Sequence, residues 1–127
     1  MPYPIFDFVL QRNIPNTTDA TNQVLLIAPF DLKVVSIKAR HRIASTSGTM
    51  DLVKAVDGVA LSAGVSLLTA VMSNAGTINT NVAGALKTGI AETTIDKDSA
   101  LGFVFAGTLT NLLDLDITVS VRQLKKT

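Results

Sequence analysis

No cysteine occurs among the 127 residues of this chain, and tryptophan is absent as well. Without thiols there is no disulfide framework, no thiolate metal site and no cysteine nucleophile. Histidine occurs once, at His41, so a cluster of histidine ligands is excluded and any Ser-His-Asp triad would have to use that residue. Charge is scarce: charged side chains make up 17% of the chain and balance to +1. A disordered chain carries more charge and less apolar surface than this, and a nucleic-acid binder is normally basic. Long apolar runs are missing too. Gly58 to Leu86 carries no charged side chain, but Ser, Thr, Asn and four glycines interrupt it. A bilayer span needs ~20 mostly apolar residues, so no membrane partner is expected. Met1-Pro2-Tyr3-Pro4 lacks a basic stretch, and Asp7 breaks the apolar run behind it, so no secretory signal is expected either.

What is present is alternation. Phe6, Phe8 and Leu10 fall on one face of a strand over residues 3–12, with Ile5, Asp7, Val9 and Gln11 on the other. Arg12 to Asn22 is polar and reads as a loop, and Gln23 to Ala28 is a short apolar run ending at Pro29. In Lys33 to Ile43, Val35, Ile37, Ala39, His41 and Ile43 share a face opposite Val34, Ser36, Lys38, Arg40 and Arg42. Met50 to Val56 is a strand closed by Asp57-Gly58, the dipeptide favoured where both turn residues need positive φ, with Val59 to Leu61 returning as its partner. Val65, Leu68 and Met72 lie at the spacing of one helical turn, Thr77 to Leu86 alternates again, and Ile90 to Thr94 continues it. Leu101 to Phe105 is apolar throughout, as in a strand covered on both sides. Leu115, Ile117, Val119 and Val121 give the cleanest alternation in the chain. Seven to eight strands and no long helix predict an all-β antiparallel β-sandwich, jelly-roll-like, folding as one domain over residues 1–127. Strand order stays open at this point, and residues 1–22 read as an N-terminal strand or docking arm.

The search for chemistry returns little. No G-x-S-x-G elbow, phosphate loop or dinucleotide loop is present, so no catalytic residue, metal site or cofactor is expected and the chain does not read as an enzyme. Asp114 and Asp116 could ligate calcium, but D-x-D without further ligands reads first as a solvated strand face. Lys38, Arg40 and Arg42 place three positive charges on one strand face, fit for an acidic protein surface; no aromatic platform accompanies them, which argues against nucleic acid. The aromatics give the sharper signal. Tyr3, Phe6 and Phe8 are half of the six in the chain, while Asp31 to Gly102 has none. A chain end of this composition is expected to dock, on its own domain or on a neighbour.

Over residues 33–124, Leu52-Val53-Lys54-Ala55, Gly64 with Leu67-Leu68-Thr69, Leu101 to Thr110 and Leu115-Asp116-Ile117-Thr118-Val119 form an arrangement that resembles small tailed-phage virion proteins of the head decoration (cement) type. The resemblance implies a compact β-sandwich on the capsid surface, and the missing secretory signal leads to the expectation that it is made in the host cytoplasm. The resemblance also implies the major capsid protein as partner and a homotrimeric state, and it supplies no catalytic residues. The contact residues expected on this reading are Tyr3, Phe6, Phe8, Lys38, Arg40 and Arg42. The alternative is a tail or fibre component acting as a receptor- or carbohydrate-binding module.

Overall fold

The computed structural model describes residues 7–124. Its longest strands arise where the period of two is clearest. β10 (Leu113–Gln123) turns Leu115, Ile117, Val119 and Val121 inward, none more than 1% exposed, with Asp116 and Arg122 outward. β3 (Leu32–Ile43) runs antiparallel along one side of it, and β1 (Asp7–Asn16) along the other. In the second sheet, β9 (Ala100–Ala106) lies between β2 (Gln23–Ile27) and β4 (Thr49–Ala55). Four two-residue strands extend the margins. β5 (Val65–Ser66) and β6 (Met72–Ser73) pair with β4, while β7 (Val82–Ala83) and β8 (Thr94–Ile95) pair with β3.

The two antiparallel sheets thus run β1-β10-β3-β7, with β8 also on β3, and β2-β9-β4-β5, with β6 also on β4. This is the all-β sandwich the alternation predicts, and helix among the described residues is confined to single turns, such as α1 (Ile90–Thr93). Ile14, Val34, Ile37, Ile117 and Val119 of one sheet and Met50, Leu52, Leu101 and Phe103 of the other belong to one buried cluster. Removing that surface from water is the main term holding the sheets together. β9 is covered on its outer side too. A Cβ at Gly102 would run into the Gln23 carbonyl oxygen and the Leu61 side chain, so only glycine lets β2 and the turn at Leu61–Ala63 approach so closely.

Several local expectations are corrected. β1 continues through the predicted loop to Asn16, and Pro15 is tolerated because β1 is an edge strand. In β3 it is Val34 that is buried and Val35 that is 42% exposed. The register shifts there, with Ser120 opposite Ser36 and Val121 opposite Val34, so Val35 is an extra residue bulged outward and the faces exchange across it. Asp57-Gly58 does turn the chain, but only Gly58 has positive φ (87°), and Val59 to Leu61 does not return along β4; Val65 and Ser66 do. Leu67, Leu68 and Met72 are buried without forming the expected helical turn. Only Val82–Ala83 of the Thr77–Leu86 stretch is strand, and Ile90–Thr93 is the helical turn instead.

The connections sort into two ends. Residues 17–22, 44–48, 73–81 and 107–112 meet at one, tied by Ser45 N donating to Asn74 O, Ser47 N to Thr108 O and the Thr17 hydroxyl to Leu109 O. The opposite end holds residues 28–31, 56–64 and 96–99 together with both ends of the described chain, where Leu124 N and Lys97 N both donate to Asp31.

Candidate functional site

The charged residues singled out in the sequence meet one another. β3 and β10 are neighbours, with Arg40 opposite Asp116 and Lys38 opposite Thr118. Arg42 Nε donates to Asp114 Oδ2 at 2.7 Å, and Asp116 Oδ1 accepts from Asn13 Nδ2 at 2.7 Å. The basic stripe Lys38, Arg40 and Arg42 and the acidic pair Asp114 and Asp116 therefore form one mixed-charge ladder on the outer face of the sheet. Opposite charges side by side on a solvated sheet face cancel at distance and each pair contributes little, about 0–1 kcal/mol. Among the described residues no three His, Asp or Glu side chains come together. Asp114 itself has φ of 50°, in the left-handed region that aspartate tolerates.

His41 is 2% exposed, and its Nε2 lies 2.9 Å from the Gly76 carbonyl oxygen. With Asn79 N donating to the His41 carbonyl, it fastens the 73–81 connection to β3. Lys54 plays a comparable structural part, since its Nζ donates to the carbonyls of Ala91 and Thr94 at the end of α1. Burial pushes the Lys54 pKa down, opposed by the carboxylates of Asp96 and Glu92.

Of the aromatic trio, Tyr3 and Phe6 lie outside the described residues. Phe8 is in β1, on the face that turns toward the second sheet, and its ring centroid is 5.9 Å from that of Phe30. The two rings stand at a groove of about 420 Å³ between the edge strands β1 and β2, where the sandwich is open on its side. Its walls are Leu10 and Leu26, its rim includes Pro29, and Leu32 and Val121 lie beneath. Farther along the same seam Arg12 reaches from β1 to β2, donating to Gln23 Oε1 at 2.7 Å and to the Val24 carbonyl at 3.2 Å. That bridge closes the seam toward the 17–22 end, so the apolar opening is confined to the end where β1 begins. Sequence reasoning missed the groove, because its walls come from four strands far apart in the chain. The Pro29-Phe30 step after an apolar run was its one local sign.

No family model matches the chain, and no curated protein matches it. Among solved structures, the chain is similar to a chain of the cyanophage Pam1 capsid asymmetric unit, with 15% identity and a TM-score of 0.47 over 93% of this chain and 82% of that one. It is also similar to a chain of Bacillus endospore appendages, described as a novel family of disulfide-linked pili. There the identity is 11% and the TM-score 0.47, over 96% of this chain and 89% of that one. Likenesses at this level assign no function.

Proposed function

We propose that the chain is a non-enzymatic structural protein of a virion, seated on the outside of a phage head as a decoration (cement) protein, and that it acts as a homotrimer. The observation that carries this reading is the strand order. Counting β5 with β6 and β7 with β8, because each pair flanks the same neighbour, leaves eight strands. One sheet then runs first, eighth, third, sixth, and the other second, seventh, fourth, fifth. That order supports a jelly-roll wrap, an architecture used in viral capsid and lectin domains.

A fold alone does not choose a function, so the surface has to. The outer ladder sets the cations Lys38, Arg40 and Arg42 among the carboxylates Asp114 and Asp116, which leaves it only weakly basic, and the groove beside Phe8 is apolar. Both suit attachment to protein rather than to phosphate. The sequence resemblance to cement-type virion proteins runs from β3 to β10 and leaves out β1 and β2. Lattice repetition would multiply modest contacts into firm attachment. The test is co-sedimentation of purified protein with cognate capsids stripped of decoration, alongside light scattering of the free protein. Saturable attachment and a mass of three chains are the expected results, and absence of attachment would overturn the cement role.

The receptor-binding alternative has its own support, since lectins share the strand order and the 73–81 connection is rich in Ser, Thr and Asn. Against it, residues 31–102 offer no aromatic ring on which a sugar could stack. Specific retention on a glycan array, with no capsid attachment, would reverse the ranking.

A further inference from the structure

A second concavity, of about 290 Å³, lies where β3 and β10 meet the connection that leads through α1. Three cations edge it. Lys33 and Arg122 stand opposite each other in the β3–β10 register, and Lys87 reaches it from the connection. No carboxylate lines it. Asp7 takes part of the Arg122 guanidinium, while the other ion pair among the described residues, Arg42 with Asp114, belongs to the far end of β3. Lys33 and Lys87 therefore have no carboxylate at ion-pair distance among the described residues. Glu92, on the turn of α1, acts on the ammonium of Lys54, and cations stay in excess even when its charge is counted. In a chain that balances to +1, this is a local concentration of one sign.

Apolar side chains share the same concavity. Ile90 is 79% exposed, and Val35 stands in the open because the bulge opposite Ser120 and Val121 turns it away from the core. Re-aiming a side chain beside a functional surface is a recurrent use of such bulges. A phosphate backbone would satisfy the cations but leave Val35 and Ile90 against water, and residues 31–102 hold no aromatic ring on which a base could stack. A protein segment with carboxylates next to aliphatic side chains satisfies both.

We infer that this concavity docks an acidic, aliphatic segment of a partner protein. Charge complementarity selects that partner, because cations without counter-charges steer an acidic surface toward them and disfavour a basic one. The aliphatic contacts with Val35 and Ile90 then hold what the charges have steered, since removing apolar surface from water is not screened by salt. This inference rests on the reading that the chain attaches to protein, and it names the surface used and the chemistry of the segment it takes.

The test uses the full free chain and an end-blocked peptide of sequence Glu-Val-Glu-Leu, with Gln-Val-Gln-Leu as neutral control and oligothymidylate as phosphate control. NMR titration is expected to show saturable shifts at the amides of Val35, Lys87, Ile90 and Arg122 with the acidic peptide alone. Lys33→Glu combined with Lys87→Glu is expected to weaken that binding about tenfold while amides remote from the concavity keep their positions. Ile90→Ser is expected to weaken it as well, which a purely ionic site would not show. Absence of saturable shifts, an equal response to the neutral peptide, or tighter binding of oligothymidylate at the same amides overturns the inference. Movement of those amides on simple dilution of the protein also overturns it, by placing a second copy there. Because no capsid enters this titration, peptide binding without capsid attachment would reject only the cement role. Capsid attachment that the Lys33→Glu and Lys87→Glu pair leaves unchanged would reject only this inference.

Discussion

Val34 and Val35 are adjacent and chemically identical, yet one is 1% and the other 42% exposed. The partner strand makes the difference, because the shift after Ser120 leaves Val35 unopposed and pushes it outward. A charge at position 34 would lie unpaired between the sheets, whereas at position 35 it would meet water. Val34→Asp is expected to cost upwards of about 3 kcal/mol or to prevent folding, and Val35→Asp to stay within about 0.5 kcal/mol. Urea unfolding monitored by circular dichroism checks both, with an unchanged slope showing that stability rather than compactness has moved. Equal losses at the two positions would mean that the bulge is misplaced. Strict alternation from Val35 to Ile43 assigns the reverse, since a bulge is decided by the strand across from it and leaves no local mark.

At the level of elements, β1 is an edge strand held to β10 along one side, and its first residue depends on a carboxylate. The hydrogen bond from Arg122 holds the Asp7 pKa below the ordinary value of 3.8, aided by the charge of the guanidinium. A depressed carboxyl favours folding above its unfolded pKa and ceases to do so as pH falls through the lower folded value. The beginning of β1 is therefore expected to loosen below about pH 3.8. Hydrogen exchange read by NMR should show amides near residue 9 losing protection ahead of those of β10, with Asp7→Asn showing the looser pattern already at neutral pH. Simultaneous loss across both strands would show that the ion pair does not hold this edge. Elements such as β10 and β9 were legible in the sequence because each spans many residues with one face, or both, buried. From Val65 to Ile95 the four strands have two residues each, too short to display a period, and single bonds such as His41 to Gly76 hold the connections instead. The candidate site was legible by halves. The aromatic residues near the N-terminus stand out in composition, but the groove exists only once Phe8, Leu26, Phe30 and Val121 are brought together. Similarly, the basic and acidic stripes looked like separate features until β3 and β10 proved to be neighbours.

Considered whole, the described chain begins and ends in paired strands, with Asp7 directly opposite Arg122. Pairing residues this distant in sequence makes folding a matter of milliseconds to seconds rather than microseconds. It also means that chain order is separable from the contacts. A permutant that joins residue 124 to residue 7 through a short Gly/Ser linker and opens at Asp57-Gly58 is expected to fold with one cooperative urea transition. An unfolded product would show that the original connectivity carries part of the stability. The two ends of the sandwich, meanwhile, are unlike. The groove and both ends of the described chain occupy one, while the connections at the other contain Asp19 as their sole charged residue. In an assembly joined through the first end, every copy would present its second end in the same orientation. A foreign peptide grafted at the exposed Thr77–Thr80 tip would then be displayed once per subunit, all facing the same way.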